Sequence, residues 1–385
     1  MTRVGEIESA TKPLGERLRA RIRREGPISF HDWMSAALYD PIDGYYCRAD
    51  RIRQGRAGDY RTAPETSPLF AAIFAVYFSK LFADLKWPSS LTIFESGAGS
   101  GEFAHGFLNN LRVDSPEVFA ATSYVIDEVS PAARRRAAER LSEFADRVAF
   151  RRLGEIAIPV KAGIVFSNEV IDAFPVHRVI KRDERLRELF VGLNENGFVW
   201  VESDLEKSVA KYCERAGIKL SEGQIAEVNL EAERFVARAA GLLDRGYVVT
   251  VDYGAVRNDL LGSPNRHQGT LRAFRRHQLV DDVLAAPGEQ DLTTTVDWTQ
   301  IKEAGSRAGL RTLRVERLDQ FLLGEGLLNR LGEMMTSTRD SVEALRLSTS
   351  SRELILPTGL AASFQVCVQE KVIPRCSTSE SPDCP

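Results

Sequence analysis

The sequence is poor in everything that would place it in a membrane or hold it together covalently. No apolar run approaches the roughly 20 residues of a membrane-spanning helix. Cysteine is sparse: Cys47, Cys213, Cys367, Cys376 and Cys384 form no CxxC pair, and their odd number argues against a closed disulfide framework. A reducing compartment, read as the cytoplasm, is the expectation. The N-terminal stretch has no apolar core of a signal peptide, and Glu6, Glu8 and Glu16 spoil the acid-poor character of a transit peptide. His31, His105, His177, His267 and His277 are scattered without ligand spacing, so no metal is expected. Nor is there an excess of charge. Lysine plus arginine number 51 against 54 acidic residues, a formal charge of -3, which gives no global case for nucleic acid or an anionic membrane surface.

What remains is a 385-residue chain, 43% apolar, able to bury a full core. Residues 14-24 and 67-86 read as helices; in the second, Leu69, Phe70, Ile73, Phe74, Tyr77, Leu81 and Phe82 recur at helical spacing. Between them lies a long segment dense in Gly, Asp, Tyr and Pro, the kind of connection that serves as a lid. From residue 91, short apolar runs (LTIFES, SYVIDEV, GIVFSNEV, YVVTVDYG, LRVERL, SFQVCVQE) alternate with helical stretches, the rhythm of an α/β, mostly parallel, doubly wound sheet. This predicts a cap and lid over 1-88, a core over 89-371 with insertions at 185-240 and 255-296, and a disordered tail over 372-385. The first insertion holds a hairpin turning at Asn194 to Gly197.

The loop Glu95-Ser-Gly97-Ala-Gly99-Ser-Gly101 follows a strand and precedes a helix, so its main chain can lie against a ligand. A dinucleotide fingerprint needs glycine where the chain has Glu102, and no phosphate-loop pattern is present. Two carboxylates bracketing the loop suit a cationic ligand without phosphates, such as S-adenosylmethionine. The next strand ends in Asp127-Glu128, where a carboxylate would accept hydrogen bonds from ribose hydroxyls while its neighbour caps the helix at Ser130-Pro131. A further strand ends in Ser167-Asn168-Glu169-Val-Ile-Asp172. If residues 169-172 form one helical turn, Glu169 and Asp172 share a face and pair as acceptors for a planar cation such as guanidinium; equally, Asn168 and Asp172 are turn-formers.

Four separated blocks resemble the MidA-like methyltransferases, a family that includes the mitochondrial complex I assembly methyltransferase. They are Ala37-Leu-Tyr-Asp-Pro41 with Gly44-Tyr-Tyr46 and Gly58 to Phe70; the loop from Glu95 to Gly101; Asn168 to Pro175; and Asp252-Tyr253-Gly254 with Gly269 to His277 and Pro287 to Asp297. Together they span roughly residues 28-371. The resemblance implies a class I, Rossmann-like methyltransferase sheet with S-adenosylmethionine over Gly97, Gly99, Gly101 and Glu128. Through the mitochondrial member it also implies symmetric dimethylation of arginine in a complex I subunit. The family's N-terminal signature adds Gly58, Asp59, Thr62, Pro64 and Glu65 to the cofactor set, beside Glu95, Asp127 and Asn168. Two departures bear on the substrate: Phe107 stands where the family usually has aspartate, and Gly359 to Phe364 replaces a Met-Gly-Glu-like pattern.

Methyl transfer is an in-line displacement, so alignment in a dry site supplies most of the catalysis. An arginine acceptor starts as guanidinium and needs carboxylates to orient it and take its proton. Glu169 and Asp172 are the candidates, with Asn168 beside them and Glu65 and Asp59 behind. His277 is a further proton acceptor or a solvated residue between basic neighbours. Tyr39, Tyr45, Tyr46 and Tyr60 either wall the acceptor pocket or pack the cap onto the sheet. The partner is accordingly a protein substrate, with a small molecule or a non-catalytic assembly role as alternatives.

Overall fold

Six of the apolar runs pair into one sheet in the computed structural model, which describes residues 12-48, 67-275, 278-338 and 340-371. Its strands are β2 (Leu91–Ser96), β3 (Thr122–Asp127), β4 (Val148–Phe150), β5 (Gly163–Asn168), β10 (Gly246–Asp252), β16 (Leu310–Arg317) and β17 (Gln365–Lys371), in the order β16-β17-β10-β5-β2-β3-β4. The run from β10 to β4 is parallel. β17 is antiparallel to both neighbours, which makes the sheet mixed. The reversal has a simple cause. β16 ends at residue 317, three helices follow, and Leu318 N donates to Phe364 O where the chain re-enters beside its exit. Entering from the end it left by, β17 must run backwards.

Strand residues alternate between two buried layers, as a sheet covered on both faces requires. Ile93, Ile164, Phe166 and Val249 meet helices α3 (Pro68–Asp84) and α4 (Glu102–Asp114); a short α5 (Pro116–Ala121) follows. The residue Phe107, set where the family has aspartate, is fully buried there, 5.4 Å from Phe78. Helix α3, expected to go with the cap, thus packs into the core. Phe94, Val165 and Val248 face the other layer, which includes α8 (Leu230–Gly241) and α10 (Trp298–Arg307).

The cap consists of α1 (Leu14–Glu25), β1 (Ile28–Ser29) and α2 (Phe30–Tyr39). Its strand pairs with an antiparallel sheet of β6 (His177–Arg182), β7 (Arg185–Asn194), β8 (Gly197–Ser203) and β9 (Ile225–Val228), so the first insertion, expected over 185-240, begins earlier, at β6. Asn194 opposite Gly197 closes the hairpin where the sequence placed it. Helix α6 (Pro131–Arg140) follows β3, and α7 (Lys207–Ala216) lies within the first insertion. The second holds β11 (Gly254–Ala255), α9 (Arg257–Gly262), β12 (Arg272–Arg275), β13 (Gln278–Val280), β14 (Asp291–Thr293) and β15 (Val296–Asp297). Helices α11 (Leu318–Gly324), α12 (Leu327–Ser337) and α13 (Ser341–Ile355) precede β17. No helix among the described residues is long and apolar enough to cross a membrane.

Candidate active site

Chain order runs outward from β2 in one direction through β3 and β4, and from β5 in the other through β10, so the topology switches between β2 and β5. Open α/β sheets bind ligands at that point, beyond the carboxyl ends of the strands. A cavity of about 1390 Å³ opens there. It exceeds the roughly 300–1,000 Å³ of ordinary ligand pockets, enough for two ligands side by side.

At one end stands the glycine loop. Gly97, Gly99 and Gly101 take φ values of 70°, 56° and 78°, the left-handed region where a Cβ is strained. A Cβ on Gly97 would also come within 2.7 Å of Val170 Cγ2, so this glycine lets the loop lie against the segment after β5. Glu128, buried after β3, accepts from Gly99 N at 2.8 Å and Ser130 N at 2.7 Å. Asp127 accepts from Leu153 N at 3.1 Å and pairs with Arg152 at 3.2 Å. Ser130 caps α6, with Pro131 in its first turn. Glu95 does not line the cavity. It is turned into the core, where Tyr124 Oη donates to it at 2.8 Å and burial pushes its carboxyl up to about 8.

Residues 169-172 do not form the helical turn that would align Glu169 with Asp172. Glu169 instead adopts φ 54°, and the turn wraps the buried carboxylate of Asp252 at the end of β10. Asp252 Oδ2 accepts from the backbone N–H groups of Val170, Ile171 and Asp172 at 3.3, 3.0 and 3.2 Å, and its Oδ1 accepts from Tyr253 N at 2.9 Å. Successive amides gathered on one anion form a nest. Burial and the carboxylates of Asp172 and Glu169 push Asp252 up, and these donors oppose that shift.

The nest presents Asp172 to the cavity. Its Oδ2 accepts from Tyr253 Oη at 2.5 Å, while its buried Oδ1 has no hydrogen-bond partner among the described residues. Burial raises this carboxyl to about 6, against the lowering effect of the Tyr253 hydrogen bond and of Arg272. Asn168 and Glu169 also line the cavity, and Asn168 Nδ2 donates to Glu169 Oε1 at 3.0 Å. Of the tyrosines, Tyr39 and Tyr46 stack at 5.5 Å and line the cavity, where Tyr46 Oη donates to Asp291 Oδ1 at 2.7 Å; Tyr45 is buried in the cap. Phe364, from the departing C-terminal block, lines it too and meets Tyr253 edge-on.

Gly58, Asp59, Tyr60, Thr62, Pro64, Glu65, His277 and the tail lie outside the described residues. Sequence reasoning gave no role to Tyr253, Asp252, Arg272, Asp291 or His31. The first two stand at the carboxyl end of a strand, a position that marks them as site candidates. His31 lines the cavity from α2; hydrogen bonds to Asp32 and then Glu231 push its imidazole up to about 9. His177, Glu188 and Glu206 are the trio of metal-ligand types that converges among the described residues. Hydrogen bonds account for it: His177 Nδ1 lies 2.7 Å from Glu188 Oε1, and Glu188 Oε2 accepts from Glu206 N at 2.9 Å.

The donor set at the glycine end suits a nucleoside without phosphates. Glu128 lines the cavity with a carboxylate, the group type that accepts from ribose hydroxyls, and the nearby Arg140 is engaged by Glu102 at 2.5 Å and Ser100 O at 3.0 Å. Comparison with known proteins agrees. Residues 73–316 match the family described as "Putative S-adenosyl-L-methionine-dependent methyltransferase". A Burkholderia thailandensis protein whose crystal structure holds S-adenosyl-homocysteine superposes with a TM-score of 0.81 at 31% identity, over 92% of this chain and 91% of that one. The Drosophila melanogaster protein arginine methyltransferase NDUFAF7 homolog, mitochondrial, is 29% identical over 79% of this chain and 72% of its own length. The human NDUFAF7 protein arginine methyltransferase is 23% identical over 93% and 83%. S-adenosylmethionine is thus the cofactor, and the chain belongs to the MidA-like family of S-adenosylmethionine-dependent methyltransferases.

Proposed function

We propose that this methyltransferase modifies arginine in a protein partner, with Asp172 orienting the guanidinium and taking its proton. The observation that carries the reading is Asp172 itself: a buried carboxylate of the cavity lining, with one oxygen fixed by Tyr253 and the other without a partner among the described residues. Such an atom calls for a donor, and guanidinium supplies planar, charged donors. Glu169, beside it on the nest, adds a second carboxylate, and the stacked rings of Tyr39 and Tyr46 wall a slot suited to a cationic side chain. The NDUFAF7 relatives carry arginine methyltransferase in their names, and the reading extends that activity to this chain.

When bound at Gly97, Gly99 and Glu128, S-adenosylmethionine supplies an electrophilic methyl group on a sulfonium. The chain's own part is alignment and proton handling. Tyr253 and the Asp252 nest hold the Asp172 carboxylate in place at the cavity lining, where an acceptor nitrogen would meet it. The nitrogen that gains the methyl group must shed one proton, and Asp172 Oδ1 accepts it. A carboxyl at about 6 is ionised at neutral pH and ready for that role.

The test is incubation of the protein with methyl-radiolabelled cofactor and cell extract, then acid hydrolysis and separation of methylated amino acids. Label in methylarginine, lost in Asp172→Asn while S-adenosylhomocysteine still binds, is the expected result. Label confined to small molecules would replace this reading with a small-molecule methyltransferase.

A further inference from the structure

We propose that Arg272 is a carboxylate-binding residue, so that the acceptor substrate carries an acidic group beside the group that is methylated. This rests on the arginine reading above and deepens it. Arg272 opens β12, paired across the ladder with Thr293 of β14. Its guanidinium lies over the ring of Tyr253, 5.0 Å from the centroid, and lines the same cavity as Asp172. It makes no hydrogen bond or ion pair with any described residue, although Asp172, Glu169 and Asp291 line that cavity. Its Nε is shielded from solvent with no acceptor, and the buried Thr293 Oγ1 beside it is likewise without a partner among the described residues.

A half-buried guanidinium whose donors are unfilled is costly, and arginine presents five donors in a planar fork. Stacking on an aromatic face holds such a fork in place and leaves its edge for a ligand. The position is informative because one neutral side chain, Tyr253, contacts both charged groups. Tyr253 Oη holds Asp172 while the Tyr253 ring holds Arg272, so an open anion and an open cation stand at a fixed separation. The complement of that dipole is a ligand with its own cation and anion side by side. A carboxylate matches the fork in two-point geometry, whereas a doubly charged phosphate would meet stronger repulsion from the acidic side chains that line the cavity. The carboxylate comes either from an acidic side chain next to the arginine in a polypeptide or from the α-carboxylate of a free amino acid.

The experiment is calorimetric titration of the full chain, saturated with S-adenosylhomocysteine, with end-blocked Gly-Arg-Asp-Gly and Gly-Arg-Asn-Gly. Free arginine and agmatine, which lacks the carboxylate, form the second pair. The Asp peptide should bind about tenfold tighter than the Asn peptide, as expected of a charge-assisted pair. Arg272→Met should abolish that ratio, and Arg272→Lys should retain part of it. Unchanged S-adenosylhomocysteine affinity shows that the variants fold. Preference for arginine over agmatine, abolished in Arg272→Met, without an Asp preference would support the carboxylate site and assign it to a free amino acid. Equal affinities within both pairs, undetectable binding of all four probes, or a preference that survives Arg272→Met would each overturn the proposal. End-blocked Gly-Lys-Asp-Gly separates it from the arginine reading: if it binds as tightly as the arginine peptide, that reading fails while the carboxylate site stands.

Discussion

The two ends of the cleft are built in opposite ways. At the glycine end the polar groups are engaged by neighbouring protein groups: Glu128 accepts from Gly99 and Ser130, Asp127 accepts from Leu153 and pairs with Arg152, and Ser130 caps a helix. At the acceptor end they are left open: Asp172 Oδ1, Asn168 Oδ1, Arg272 Nε and Thr293 Oγ1 all lack partners among the described residues. Unsatisfied buried groups are expensive, and so is the left-handed Glu169. The contrast teaches where the molecule spends stability. A nucleoside site gains from being preformed, whereas a site that must grip a substrate's charge keeps its hydrogen-bonding capacity in reserve.

If that division holds, substitutions at the two ends should fail differently. The largest effect is expected from Gly97→Ala, which places a Cβ within 2.7 Å of Val170 at a φ of 70°. Calorimetry should show S-adenosylhomocysteine affinity falling on the order of 100-fold, as for a strained backbone combined with a clash; affinity within twofold of wild type would break the comparison. Next is Asp172→Asn. Methyl transfer should fall about 10²–10⁴-fold, the range for a lost proton acceptor, with S-adenosylhomocysteine affinity unchanged. Equal losses in both would place Asp172 at the cofactor end instead.

Tyr253→Phe sharpens the contrast within the acceptor end. Removing the hydroxyl takes away a hydrogen bond that favours ionised Asp172, so the acidic limb of the pH–rate profile should move upward from about 6, with a roughly tenfold loss at neutral pH. A downward shift would refute the assigned role. The smallest effect concerns stability. Buried Glu95 titrates at about 8 in the folded chain, above its unfolded value, so the folded state holds a proton that the unfolded state has released. Its contribution is therefore intact below pH 4.5 and declines as pH rises from there through 8. Glu95→Gln should flatten that decline, raising Tm at pH 8 by about 2–4 °C relative to wild type while leaving pH 4 unchanged.

The glycine end was legible because its signals are local. Strand, loop and helix follow one another within residues 91–114, and Asp127-Glu128 comes at the next strand end. The acceptor end draws on contacts far apart in sequence. Tyr253 reaches Asp172 across 81 residues, and Tyr39 Oη donates to Ala173 O across 134. No spacing rule reveals such pairs. Of the two readings of 169-172, helical turn or turn-formers, the choice also rests on a distant residue: Asp252 gathers the amides of Val170, Ile171 and Asp172 around its carboxylate. The Glu95 expectation failed on direction: alternation along β2 turns that side chain into the sheet's core, away from the crevice.

The placement of β17 bears on biosynthesis. The last strand of the sheet is an interior one, flanked by β10 and β16. Until translation has passed residue 371, both neighbours have an unpaired edge along their whole length, and such edges template association between chains. A nascent chain of this protein must therefore wait, with the glycine loop already synthesised, for its final strand to be inserted before the crevice has a finished floor.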